Sequence, residues 1–396
     1  MNFQLRKKGI IPVQLLRELA KGGIITSDKD YPIQDDQFQP NSLDLRLGKV
    51  AYRVRCGFLP ENDQVSDKIT KLCQHEFSIE NGGVLEPNCT YIIPLLESLN
   101  MPSSTLANYK SSANGHSAIT IQSESKLTAR TNPKSTTGRL DIFTRLVTDY
   151  SHRFEEIRAG YSGPLFLEVV PKSFPVRVRT GQRLNQLRIR HGNGKLTDDE
   201  VLRTHSIDPV LFNENKQPVA DHNLKLDNGL FMSVDLSGIS GNIVGYKARK
   251  NRDLIDLEKI AYYEISDFWE PIYAGHDDYM ILEPEAFYIF ASKERCRIPQ
   301  HLAGEMVPYD TGSGELRTHY AGFFDSGFGG SVKDAGARAV LEVRSHDVPF
   351  LVEDGQTFFS MIFEANTDIP DFMYGKEIRS NYQGQELKLS KHFKTD

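Results

Sequence analysis

The sequence has few cysteines and no excess of positive charge, and each absence excludes a class of protein. Cysteine accounts for four of the 396 residues and forms no C-x-x-C pair, so we expect reduced thiols and no disulfide framework. Lys and Arg number 47 against 53 Asp and Glu. This net charge of -6 argues against nonspecific nucleic-acid binding, which requires clustered cations.

Long apolar runs and several enzyme motifs are also missing. The apolar run at residues 91–96 is far too short to span a bilayer, and no signal-like run follows the first residues. We therefore expect a soluble cytoplasmic protein with no membrane partner. The sequence contains no H-E-x-x-H, P-C-x-x-C, G-x-S-x-G, Rossmann or Walker A motif, and its eleven histidines are scattered. We therefore expect no zinc and no other protein-bound metal.

The most informative feature is internal similarity between the two halves of the chain. Matches in register indicate duplication of one module, and their period is too long for a solenoid. We predict two domains, residues 1–200 and 215–396, with a polar linker within residues 192–228. A second polar segment, residues 109–131, is predicted to be an insertion or a mobile loop. The matching segments are residues 42–48 with 233–238, 85–92 with 282–289, and 167–182 with 341–356.

Strand signals dominate within each half. Residues 166–170 and 339–343 are apolar and β-rich, and residues 174–179 alternate apolar with basic side chains. One helix is predicted between Pro12 and the glycines at residues 22–23. We therefore predict a mainly β fold, with a sandwich or distorted barrel in each half and a few short helices.

Residues 133–141 bring together groups that suit phosphate oxygens. Lys134 offers a point charge, Arg139 offers a planar fork of donors, and Ser135 and Thr136 offer short hydroxyl donors. A solvated turn before a strand is the alternative explanation of this segment.

One carboxylate lies in a predicted strand of each half, Glu168 in the first and Glu342 in the second. Because Leu167 and Val169 flank Glu168, its side chain points to the opposite face of the strand, toward solvent or a cleft. In a cleft, desolvation would raise the pKa of the carboxyl toward the range of a general base. An ordinary exposed strand glutamate is the alternative at both positions.

Taken together, these segments resemble the dCTP deaminases, which are relatives of the trimeric dUTPases. The resemblance rests on residues 39–48, 134–139, 160–168 and 380–385, which occur in the family's order. It implies two tandem dUTPase-like distorted β-barrels of the β-clip type. It also implies zinc-independent hydrolysis of dCTP to dUTP and ammonia, which would supply dUTP for dUMP and thymidylate synthesis.

The resemblance implies a role for each matched residue. Glu168 would move protons, Ser135 and Arg139 would hold the attacking water, and Glu342 would contribute to a shared site. Mg²⁺ would be bound through the triphosphate, dTTP is a candidate inhibitor, and the expected assembly is a homotrimer with sites at subunit contacts. The implied nucleotide contacts are Lys134, Ser135, Thr136, Arg139, Tyr161, Phe166, Asp325, Tyr382 and Gln385.

Departures from the family pattern leave other functions open. Arg158 stands where the family often has an Asp that meets the sugar hydroxyl, and Asn381 replaces a frequent Lys in the tail. In the second half, Ser313 and Arg317 keep only the spacing of the Ser/Arg motif, although Asp325 precedes a suitable turn. The alternatives are a dUTPase or a bifunctional deaminase–diphosphatase, and a non-catalytic nucleotide-binding regulatory protein.

Overall fold

The structure is a computed structural model of the chain. The structure describes residues 3–4, 7–102, 108–109, 119–120, 126–238, 242–275, 278–308, 316–318, 322–345, 348–375 and 382–395. Strands form most of the regular structure, as predicted.

Short strands follow one another along both halves. The first half contains β1 (Phe3–Gln4), β2 (Gly9–Ile10), β3 (Ile25–Ser27), β4 (Leu43–Arg46), β5 (Val50–Val54), β6 (Cys73–Ser78), β7 (Gly83–Leu85), β8 (Thr90–Asn100), β9 (Asn108–Tyr109), β10 (Ile119–Thr120), β11 (Leu127–Pro133), β12 (Ile142–Val147), β13 (Glu156–Ile157), β14 (Ser162–Pro171), β15 (Val176–Val178) and β16 (Arg183–His191). The second half contains β17 (Leu211–Phe212), β18 (Leu230–Ser233), β19 (Ile243–Ala248), β20 (Ile255–Asp256), β21 (Trp269–Tyr273), β22 (Tyr279–Leu282), β23 (Phe287–Cys296), β24 (Leu302–Pro308), β25 (Leu316–Thr318), β26 (Phe323–Phe324), β27 (Ala337–Ser345), β28 (Phe350–Glu353) and β29 (Thr357–Ala365).

Helices are short and lie between the strands. They are α1 (Val13–Lys21), α2 (Val65–Leu72), α3 (Ser135–Gly138), α4 (Asp198–Ile207) and α5 (Ile265–Phe268), with 3₁₀ turns at Asp35–Gln37, Asp221–Asn223 and Val332–Asp334. The predicted helix after Pro12 is confirmed as α1, which buries Leu15, Leu16 and Leu19 and ends at Gly22.

The two halves repeat the same sheet topology. One sheet of the first half has the strand order β12-β14-β8-β5-β6, and the second half repeats it as β25-β27-β23-β19-β21. The other sheet has β13, β11, β16 and β4 as successive neighbours, and the second half repeats this order as β26-β24-β29-β18. The duplication inferred from sequence is therefore present in the strand pairing.

The halves pack on one another through a continuous apolar core. Strand β15 of the first half pairs in parallel with β20 of the second. Beside this contact, the ring of Phe174 packs edge-on against Phe268 and Trp269, with centroids 5.5 and 5.6 Å away. The tail returns to the same cluster, where Phe393 is buried.

Parts of two polar segments belong to regular elements in the described residues. The linker assigned to residues 192–228 contains α4, whose first turn is closed by a reciprocal capping box between Thr197 and Glu200. The segment assigned as an insertion at residues 109–131 ends earlier than expected, because its last residues belong to the buried strand β11. Pairing with β16 along its whole length holds β11 in place.

The four cysteines are free thiols, and Cys296 is buried. In the described part of the chain, no helix is long and apolar enough to cross a membrane.

Candidate active site between the two halves

A cavity of about 690 Å³ lies between the halves and takes its walls from both. The first half contributes the end of β11, helix α3 and the start of β16. The second half contributes β26, β27 and the C-terminal tail. Of the predicted site residues, the cavity collects Lys134, Ser135, Thr136, Arg139, Asp325, Glu342, Tyr382 and Gln385.

The Lys–Ser motif sits at a strand-to-helix junction. Strand β11 ends at Pro133, Lys134 adopts an extended conformation before α3, and Ser135 is the first residue of that helix. The ammonium group of Lys134 donates to Asp44 Oδ1 at 2.5 Å. Asp44 is buried on β4, so it fixes the direction of the lysine, while the side chain of Ser135 remains exposed at the cavity wall.

Arg139 is buried at the end of α3 and is held mainly by the tail. Its guanidinium donates to the carbonyl oxygen of Lys388 at 2.7 Å and to Gln385 Oε1 at 2.8 Å. The same group lies over the ring of Tyr382, 3.9 Å from the ring centroid. These contacts fix the plane of the guanidinium within the cavity.

Glu342 reaches the cavity from the buried strand β27. Its Oε1 lies 3.9 Å from Arg139 Nε, so the two charges face each other without a direct hydrogen bond. Burial raises the pKa of the Glu342 carboxyl to about 8, and the positive charge of Arg139 opposes this shift. The carboxyl is therefore a stronger base than an exposed glutamate.

Glu168, its counterpart in the first half, does not line this cavity. Its Oε1 accepts two hydrogen bonds from Arg145, from Nε at 2.9 Å and Nη2 at 2.5 Å. Gly57 packs against Oε2 so closely that a Cβ at that position would lie 2.5 Å from it. Burial raises the pKa of Glu168, while Arg145 acts in the opposite direction. The expected meeting of Glu168 with Ser135 and Arg139 is therefore not found within the chain.

Tyr161 and Phe166, which are predicted nucleotide contacts, do not line this cavity. The hydroxyl of Tyr161 donates to the carbonyl of Pro164 at 2.5 Å, and the ring is buried in the core. Phe166 packs with Val54, Val65, Ile69, Ile92 and Val147 in a separate apolar cluster. Phe328 and Val340, at the matching positions of the second half, line the cavity instead.

The N-terminal signature residues join the second half beside the cavity. Asn41 Oδ1 accepts from the backbone N–H of Ser326 at 2.7 Å, and Ser42 Oγ donates to Asp325 Oδ2 at 3.3 Å. Arg188 pairs with the other oxygen of Asp325 at 2.8 Å. Asp325 is therefore present at the wall, with both carboxylate oxygens engaged by the first half.

The tail is fixed at its end as well as at the cavity. Ser390 Oγ donates to the carbonyl of Thr136 at 3.2 Å, and Thr136 and Tyr382 share a hydroxyl–hydroxyl contact of 2.9 Å. Burial lowers the pKa of His392 to about 4, so this histidine is neutral at physiological pH. Phe393 then anchors the chain in the aromatic cluster, 5.6 Å from Phe268 between centroids.

Several lining residues were not singled out from the sequence. Asp44 lay inside the recognised N-terminal signature, whereas Arg183, Lys391 and His392 gave no pattern of their own. Burial and the nearby Lys134 lower the pKa of the Lys391 ammonium. The side chains of Ser313 and Arg317, and residues 380–381, lie outside the described residues.

The cavity therefore offers cations for phosphates, a fixed guanidinium and one basic carboxyl. Within the described ranges, no group of three His, Cys, Asp or Glu side chains is arranged to hold a metal ion. The arrangement can bind an anionic ligand and move a proton beside a stabilised negative charge.

Comparisons with known proteins find matches to both halves of the chain. A family model described as the N-terminal domain of 2'-deoxycytidine 5'-triphosphate deaminase matches residues 7–121 and 118–193. A model described as the C-terminal domain of the same enzyme matches residues 197–393. The crystal structure of 2'-deoxycytidine 5'-triphosphate deaminase from Agrobacterium tumefaciens is 41% identical, covers 92% of this chain and 97% of its own, and superposes with a TM-score of 0.80. No curated protein sequence matches the chain significantly.

Proposed function

Because the chain belongs to the 2'-deoxycytidine 5'-triphosphate deaminase family, we propose that it hydrolyses dCTP to dUTP and ammonia in the cavity between its halves. The observation that carries this proposal is the convergence of Ser135 and Arg139 from the first half with Glu342 from the second. These are the residue types that the reaction needs, and they meet in a cavity large enough for a nucleotide.

In the proposed reaction, Glu342 rather than Glu168 is the proton carrier. Ionised Glu342 takes a proton from water as the water oxygen attacks C4 of cytosine, and the proton passes to the ring nitrogen N3. Glu342 then carries the proton of the new C4 hydroxyl to the amino group, and collapse of the tetrahedral intermediate forms the C4 carbonyl, breaks the C4–N4 bond and releases ammonia. Glu342 Oε1 lies 3.9 Å from Arg139 Nε, a buried donor without a hydrogen-bond partner among the described residues.

Ser135 and Arg139 orient that water and stabilise the negative charge that develops on it. The reaction needs no metal-bound water, because a desolvated carboxylate supplies the base and a fixed guanidinium supplies the electrostatic stabilisation. We propose that Lys134, Thr136 and Lys391 bind the triphosphate of the magnesium complex of dCTP. Tyr382 and Gln385 would hold Arg139 in place while the nucleotide is bound.

The product dUTP is a precursor of dUMP, and we place the reaction in the cytoplasm. Inhibition by dTTP is expected to be competitive, because dTTP carries the same triphosphate and sugar.

The direct test is product analysis with the purified full-length chain, dCTP, Mg²⁺ and a zinc chelator. Ammonia and dUTP in equal amounts are expected. Formation of dUMP and pyrophosphate as well would make the enzyme bifunctional. Tight binding of dCTP without turnover would contradict the proposal and favour a regulatory nucleotide-binding protein.

Paired substitutions test the assignment of the base. Glu342→Gln is expected to lower kcat by about 10²–10⁴-fold, the usual contribution of general acid–base catalysis. Glu168→Gln is the matched control, and it is expected to retain kcat within about threefold, because Glu168 is paired with Arg145 outside the cavity. The reverse pattern would show that Glu168 serves the reaction.

A further inference from the structure

A second cavity, of about 590 Å³, lies in the first half, and most of its charged lining residues are basic. The chain as a whole carries a net charge of -6, so its composition does not account for this local excess of cations. The cavity shares no lining residue with the catalytic cavity. Its basic lining residues are Lys126, Arg130, Arg153, Arg158, Arg190 and His152, and its acidic ones are Asp149 and Glu156.

Both acids of the lining are already engaged. Asp149 Oδ1 accepts the backbone N–H of Val65 at 2.8 Å, at the start of α2. Glu156 lies 3.5 Å from Arg153. His152 is likewise paired outside the lining, with Glu61 at 2.8 Å. The backbone donor leaves the negative charge of Asp149 in place, so the lining holds two acids against five Lys and Arg side chains.

Ion pairs with carboxylates of the second half fix Arg130 and Arg190 in position. Arg130 lies 3.0 Å from Glu305, and Arg190 lies 2.7 Å from Glu364. The Nε atoms of both arginines are buried and have no hydrogen-bond partner among the described residues. The two side chains are therefore held at the cavity wall, 36% and 21% exposed, but their buried Nε atoms are closed to a ligand.

Arg158 and Lys126 are exposed cations at the same wall. Within the part of the chain that the structure describes, neither side chain has an ion-pair or hydrogen-bond partner. Arg158 directly follows β13, whereas Asp325 directly follows the equivalent strand β26 and lines the catalytic cavity. The duplicated module thus has opposite charges at this position, and the first-half cavity favours an anion.

We propose that this basic cavity is a binding site for a polyphosphate group, separate from the nucleotide site of the catalytic cavity. Arginine forks match phosphate oxygens bidentately, and a lysine adds a point charge. A volume of about 590 Å³ lies within the range of small-ligand sites, so the group is either inorganic polyphosphate or the phosphate chain of a nucleotide.

The two cavities lie at opposite ends of the same strands. Thr128 and Arg130, near the start of β11, line the basic cavity, and Pro133 at its end lines the catalytic one. On β16, Arg190 lines the basic cavity and Gln186 lines the catalytic one. Ligands in the two cavities therefore bind as separate equivalents.

Calorimetric titration of the full-length chain with inorganic triphosphate tests the site. The unmodified protein is expected to bind two equivalents per chain. The Lys126→Ala/Arg158→Ala variant should bind one, with affinity at the basic cavity reduced by about tenfold or more. The matched control is Lys29→Ala/Arg203→Ala, which removes the same charge from exposed positions and should still bind two. Binding that Lys126→Ala/Arg158→Ala leaves unchanged would overturn the proposal.

The source of the phosphate is resolved by repeating the titration with a purine nucleoside triphosphate. If the nucleoside triphosphate binds more tightly than inorganic triphosphate, and Lys126→Ala/Arg158→Ala loses this binding, the cavity is a nucleotide site. If only inorganic triphosphate binds, the cavity is a site for free polyphosphate. If neither ligand depends on these two cations, the site does not exist. Ammonia release from dCTP is measured separately, so failure of the proposed deamination and failure of this site give different results.

Discussion

At the scale of single residues, we expect the buried carboxyl of Glu342 to control two pH dependences. Burial raises its pKa to about 8 in the free protein. A general base works only when ionised, so kcat/KM for dCTP is expected to rise with pH up to about 8 and then level off. A steady-state pH profile checks this, and a rate that is already constant from pH about 5 upward would contradict the role of this carboxyl.

The same pKa shift makes stability depend on pH. Between the ordinary value of 4.5 and about 8, the folded chain keeps a proton on Glu342 that the unfolded chain has lost. The contribution of this group is therefore complete below pH 4.5 and is lost as pH rises toward 8. Glu342→Gln cannot lose that proton, so its unfolding free energy should increase relative to the unmodified chain across this interval. Urea titrations at several pH values measure the difference, and parallel curves would contradict the shift.

At the scale of elements, hydrophobic pattern and turn residues predicted α1 and the strands that carry Glu168 and Glu342. The hydrophobic pattern did not predict α4, because the residues of this helix are largely polar and few of them are buried. The sequence feature that indicates the start of α4 is the capping box formed by Thr197 and Glu200. The site was only partly predictable for another reason: sequence showed two equivalent glutamates, and only packing of one half on the other determines which of them faces Arg139.

The capping box gives a prediction for α4. Thr197→Ala removes the hydroxyl that accepts the backbone N–H of Glu200, so it should lower the unfolding free energy by about 1 kcal/mol. Thr197→Ser keeps the hydroxyl and should retain most of the stability. Chemical denaturation of both variants makes the comparison, and equal losses would show that the cap contributes nothing.

The tail gives a second prediction at this scale. Phe393→Ala removes the ring that packs in the aromatic cluster. This loosens the C-terminal tail, whose Gln385 and Tyr382 support Arg139. KM for dCTP should rise by about tenfold, and carboxypeptidase should shorten the chain faster. Phe359→Ala, at a fully buried position on β29, is the matched control: it should lower global stability without exposing the tail. Equal digestion of both variants would argue against a specific anchor.

At the scale of the whole molecule, the charges of the duplicated modules have diverged where the halves meet. The first half presents Arg130, Arg188 and Arg190, and the second half presents Glu305, Asp325 and Glu364 as their partners. If two first halves packed in this way, arginines would face arginines across the interface and repel one another. The pairing therefore favours one first half with one second half, and it brings Ser135 and Glu342 of the same chain to one cavity.

This arrangement predicts that each active site is complete within one chain, whether or not chains associate into the expected trimer. The test co-expresses two variants that are each expected to be inactive alone, Ser135→Ala and Glu342→Gln, with a different affinity tag on each. Purification on both tags in turn selects assemblies that contain both variants. If sites were shared between chains, random assembly would rebuild about one half times one half, or about a quarter, of the sites. Because Arg139 and Glu342 already face each other at 3.9 Å within one chain, no activity should return. Recovery near a quarter of the unmodified rate would show that the functional cavity joins neighbouring chains and would reopen a role for Glu168 there.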